Sequence, residues 1–116
     1  MKIEAERTPR GGVVLRPSGQ LDADNAVALK ERIRQAVDQG ALWVVVDLAL
    51  VEFVDSSGLS ALVSGMKALR SRGGTLCLSG PRPQALTALR LTMLDRVFAI
   101  YTAVDEAIAQ EPTQAP

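Results

Sequence analysis

The sequence predicts an α/β fold: a single domain with a mixed β-sheet, an N-terminal hairpin, later strands parallel, and about four helices packed on it. Three observations carry this expectation. Strand-period and helix-period segments alternate along the chain in the order ββαβαβαβα. The run LWVVVDL, residues 42–48, is apolar at nearly every position and rich in β-branched residues, as a strand covered on both faces must be. Turn and stop residues punctuate several of the junctions, as in TPRGG, at Gly40, at Gly73-Gly74 and in GPRP.

Each element follows from its residues. KIEAER, residues 2–7, sets Ile3 and Ala5 against Lys2, Glu4 and Glu6, the alternation of a half-exposed strand. TPRGG supplies a turn, with Pro9 fixing φ and two glycines free to take positive φ. VVLRPS then forms the second strand of an antiparallel hairpin. Pro17 has no N–H, so it belongs at that strand's end or where no ladder bond is needed. From Asp24 to Gln39 the period is helical, with Ala26, Leu29, Ile33, Ala36 and Val37 on one face. Asp22 or Asp24 can cap its start, and Gly40 suits a left-handed stop.

After LWVVVDL the chain reaches the corner VDSSG and enters a second helix, with Leu59, Leu62, Val63, Met66 and Leu69 as its apolar stripe. Gly73 and Gly74 end it, and Lys67, Arg70 and Arg72 lie near its carbonyl end, where the helix dipole favours cations. TLCLS is the next strand, and GPRP opens a third helix over 83–91. Phe98 to Tyr101 forms a short last strand. Thr102 and Asp105 then stand at capping-box spacing before a final helix carrying Val104, Ala107 and Ile108. The domain is expected to span 1–110, and 111–116 to be a disordered tail.

Composition removes several functions. Hydrophobic residues make up 47% of the 116, charged residues 22%, and the formal net charge is zero. A neutral domain offers no global attraction to phosphate, so direct nucleic-acid binding is not expected. The apolar runs are too short to insert in a membrane, and the N-terminus has no apolar stretch of a secretory signal. A lone cysteine, Cys77, forms no internal disulfide and fits a reducing cytoplasm. With no histidine, a Ser-His-Asp triad and histidine-based metal sites are excluded; no P-loop motif is present. No catalytic residue, cofactor or metal is therefore expected, and the chain is read as a non-enzyme.

The corner V54-D-S-S-G carries what remains. If the strand ends near Phe53 and the helix starts near Ser57, Ser56 sits at or beside the N-cap, and capping is the leading explanation on spacing alone. A nucleophilic serine lacks a base, since GxSxG and histidine are absent and Lys67 belongs at the helix's far end. A cap does not explain the apolar company of Phe53, Val54 and Leu59 at the carboxyl end of a parallel strand, where functional surfaces gather. An exposed serine there is a phosphorylation candidate: the added charge is tolerated by helix amides and opposed by Asp55 or a docked partner. Trp43 and Cys77 read as packing residues, Asp47 as a hydrogen-bonding partner of the next loop, and Arg82 as solvated.

The segments SGQLDADNA, VVVDLALVEFVDSSGLSAL and GGTLCLSGP resemble the STAS domain of bacterial anti-sigma factor antagonists, over roughly Ile3 to Ala109. The resemblance implies a phosphoprotein whose first DSSG serine, here Ser56, is phosphorylated by an anti-sigma factor that is also a serine protein kinase. The unphosphorylated form binds that kinase and frees the sigma factor, and a serine phosphatase restores it. It further implies that Asp22, Asp55, Ser57 and Gly58 lie with Ser56 at the partner surface, and that nucleotide reaches the site only through the kinase. Gln20 and Ser60 depart from the pattern, standing where an acid and a glycine are usual. The alternative implied by the same domain is a scaffold subunit of a membrane transporter ATPase complex.

Overall fold

The computed structural model describes residues 1–113. Its elements are β1 (Lys2–Arg7), β2 (Val13–Leu21), α1 (Ala23–Asp38), β3 (Trp43–Asp47), β4 (Val51–Val54), α2 (Ser56–Arg70), β5 (Thr75–Ser79), α3 (Pro83–Leu91), a 3-10 turn (Leu94–Arg96), β6 (Ile100–Tyr101) and α4 (Val104–Ala109). The sheet runs β1-β2-β3-β5-β6, with β4 beside the end of β2. β1 is antiparallel to β2, and the remaining pairs are parallel. This is the expected mixed α/β fold with its N-terminal hairpin and four α-helices.

Pleating divides the core. Leu15, Val44, Val46, Leu76 and Leu78 face α1, α2 and α3, whereas Val14, Trp43, Val45 and Cys77 face α4. Trp43 to Val46 are thus covered on both sides, as their composition requires, while Leu42 ahead of them is exposed. The five α1 residues expected inside, Ala26, Leu29, Ile33, Ala36 and Val37, are the helix's buried residues. Leu62 and Leu69 of α2 are fully buried. Trp43 packs against α4 and donates Nε1–H to the Ala107 carbonyl at 3.2 Å.

Three expectations need correction. The apolar run continuing toward the corner is two strands, because the Asp47 carboxylate accepts from the Ala49 amide at 3.1 Å and turns the chain. Val51–Val54 then leaves β3 and pairs with the second half of β2, where the register shifts between Gly19 and Gln20. Gly19 takes φ +99°, and its amide donates to the Leu50 carbonyl. Pro17 takes the second of its two expected places: it lies between the stretch of β2 paired with β3 and the stretch paired with β4, with no register partner on that side. The final strand is only Ile100–Tyr101, with Phe98 buried ahead of it. At α4 the cap position is Ala103, and Thr102 Oγ1 instead donates to Glu106 Oε1.

Position 111, placed in the expected tail, is inside. Glu111 is buried, Thr8 Oγ1 donates to its carboxylate at 2.9 Å, and Arg10 donates to its carbonyl. Of the expected tail, 114–116 lie outside the described residues.

Candidate functional site

Parallel pairing places the site. Leu21 and Val54 are register partners at the carboxyl ends of β2 and β4, and the Asp55 amide donates to the Leu21 carbonyl at 3.2 Å. The next residue of each strand is an aspartate, and each aspartate starts a helix. Asp22 Oδ1 accepts from the amides of Asp24 and Asn25 at 3.1 and 3.2 Å. Asp55 Oδ1 accepts from the Gly58 amide at 3.0 Å. Between Asp22 and Asp24, Asp22 is the cap.

The cap of α2 is Asp55, not Ser56. The helix begins one residue earlier than its sequence pattern indicates, and aspartate in extended backbone caps as well as serine does. Ser56 becomes the first helical residue, exposed and relieved of capping, with Ser57 half-buried behind it. Gly58 is buried: a Cβ there would lie 2.4 Å from the Leu21 carbonyl oxygen. Lacking a side chain, it lets α2 close onto β2, so it positions the corner from within.

Gln84, which the sequence reading did not single out, holds the corner from the other side. Its Oε1 accepts from the Val54 amide at 2.8 Å and its Nε2 donates to the Val54 carbonyl at 2.9 Å. The side-chain amide of α3 therefore pairs with the last residue of β4 as another strand would. Arg82 Nε donates to the Ala49 carbonyl at 2.9 Å, tying the start of α3 to the β3–β4 turn. Asp47 makes its hydrogen bond to the next loop as expected and also lies 3.6 Å from Arg16 Nε.

A groove of about 440 Å³ runs between the starts of α1 and α2, lined by Ala23, Ala26, Val27 and Lys30 on one side and Ser56, Ser57, Ser60 and Ala61 on the other. Val27 is 65% exposed, a large apolar side chain beside the serines. Asp22 and Asp55 directly precede the groove-lining residues Ala23 and Ser56, and Lys30 is the one charged residue in the lining. The five expected site residues thus meet at one edge, four toward the surface and Gly58 beneath. The thiol of Cys77 lies away from it in the core, pushed up to about 12 mainly by burial. Burial also raises Tyr101 from its ordinary value, with a smaller contribution from Cys77. Among the described residues, no helix is long and apolar enough to cross a membrane.

Known proteins are similar to this chain in sequence and in fold. A Thermotoga maritima protein, named as a candidate anti-sigma factor antagonist, is 31% identical over 99 residues, covering 84% of this chain and 88% of its own. An anti-sigma F factor antagonist of Lysinibacillus sphaericus is 30% identical over 84 residues, covering 72% of each chain. The crystal structure of an anti-sigma factor antagonist from Mycobacterium paratuberculosis is similar with a TM-score of 0.85 at 28% identity, covering 93% of this chain and 91% of that one. The STAS domain model matches residues 2–107, so this chain belongs to the STAS domain family.

Proposed function

We propose that this chain is a cytoplasmic anti-sigma factor antagonist that works by partner switching at Ser56. In the unmodified form, the corner and the α1–α2 groove dock on an anti-sigma factor that is also a serine protein kinase, and the sigma factor is released. The kinase then phosphorylates its own ligand. The Ser56 hydroxyl oxygen bonds to the γ-phosphorus of ATP, the bond to the β-phosphate oxygen breaks, ADP leaves, and the hydroxyl proton passes to a base on the kinase. The product carries about −1.5 to −2 charge on Ser56, beside the carboxylates of Asp22 and Asp55. Docking would have to desolvate that cluster, so the complex dissociates. A serine phosphatase removes the phosphate and resets the cycle.

The observation that supports this reading best is the division of labour at the corner: Asp55 does the capping, and Ser56 is left exposed at the rim of a groove. Val27 supplies an apolar anchor for a partner beside it. No histidine exists to activate the serine, which fits an acceptor acted on by another protein's catalytic machinery. The test is incubation with the cognate kinase and ATP, followed by tandem mass spectrometry of the chain. Phosphate on Ser56 alone is the expected result. Phosphate on Ser57 or Ser60, or none in a stable complex, overturns the assignment.

A further inference from the structure

We propose that Lys30 is the internal counter-charge of phosphorylated Ser56, and that their pairing draws the two helices' side chains across the groove and over Val27. The inference rests on the reading of Ser56 as phosphoacceptor and adds how the phosphorylated state is held. Lys30 and Ser56 line the same groove. α1 and α2 leave paired parallel strands side by side, so Ala23 and Ser56 begin their helices at one level. Lys30 is two turns further along α1, about 10 Å. Helical side chains lean toward their own N-terminus, so its stem points back along the groove toward Ser56, over Val27 one turn before it. The lysine stem and the phosphoserine arm together bridge that distance.

The remaining charges agree. Arg34, one turn beyond Lys30, pairs with Glu31 at 2.7 Å and Asp38 at 3.0 Å. Lys30 enters none of the ion pairs among the described residues. Its charge is available to a new dianion, whereas Arg34's is committed. Among charged side chains, the phosphate at the α2 N-terminus would otherwise meet the acids Asp22 and Asp55 at the helix caps and Asp24 in the first turn of α1. A lysine stem lying over Val27 removes an apolar anchor from the surface, so phosphorylation would close the groove as well as charge it.

Phosphoserine installed at position 56 during translation tests this without any kinase, so the outcome is separate from whether Ser56 is the natural acceptor. The second ionisation of the phosphate, ordinarily near pH 6, is followed by ³¹P NMR in three otherwise identical chains: Lys30, Lys30→Gln and Lys30→Arg. The three acids raise it equally in all three, so only the differences matter. A nearby cation favours the dianion, so the Lys30 and Lys30→Arg chains should titrate about 0.5 pH unit below Lys30→Gln, with the gap shrinking in 0.5 M salt. Val27 methyl resonances should shift on phosphorylation in the first and third chains and stay put in the second. Coincident titrations in all three chains overturn the proposal.

Discussion

Asp55 caps α2 and its neighbour Ser56 does not, and single substitutions separate the two. Asp55→Ala removes the acceptor of the Gly58 amide and should cost about 1 kcal/mol of stability by urea titration. Ser56→Ala removes an exposed hydroxyl with no capping duty and should stay within about 0.5 kcal/mol of the unmodified chain. Equal losses would mean that the two share the cap. Gly58→Ala forces a methyl against the Leu21 carbonyl oxygen, a backbone atom that cannot swing aside, and should destabilise by about 1–3 kcal/mol. At Cys77, burial holds the thiol protonated to about pH 12, from an ordinary value of 9.0. Over that window the unfolded thiol loses its proton and the folded one keeps it, so stability should fall as pH rises from 9 to 12. Cys77→Ala should flatten that part of the profile in urea titrations.

Among the elements, the helices were legible because their apolar positions repeat within a few residues. α1 buried the expected five, and the α2 stripe placed Leu62 and Leu69 fully inside. Truncating either leucine to alanine should cost about 2–5 kcal/mol, and an unchanged denaturation midpoint would remove that face from the core. The β3–β4 break was not legible, since Val46 to Val54 reads as apolar residues broken by acids. What divides it is an Asp47 hydrogen bond and a change of partner strand, both set by the tertiary fold. Gln84 was missed for the same reason: its partner Val54 lies 30 residues away, and nothing local in GPRPQ announces it. Gln84→Leu leaves the Val54 amide and carbonyl without that partner, at a cost of about 1–3 kcal/mol. Faster amide exchange at Val54, with core amides of β3 unaffected, is the local signature. The candidate residues could be named from the GQLD and DSSG segments through the resemblance, but which residue caps α2 and which serine is left exposed depended on a one-residue helix boundary.

At the scale of the whole molecule, the sheet and its helices present one edge. Two parallel strands deliver two aspartate caps, a free serine and an apolar valine to a shared groove, while Gly58 and Gln84 fix the corner from beneath and beside. Under the proposed function, a change of charge at this edge would act on docking without passing through unfolding. The affinity of the anti-sigma partner for the unmodified, Ser56→Ala and Ser56→Asp chains, measured by calorimetry alongside their thermal midpoints, tests that claim most directly. Aspartate at the first helical position suits the helix dipole, so Ser56→Asp should remain as stable as the unmodified chain. The account predicts binding retained by Ser56→Ala and weakened at least tenfold in Ser56→Asp. A folded Ser56→Asp chain that binds as tightly as the unmodified one would contradict it.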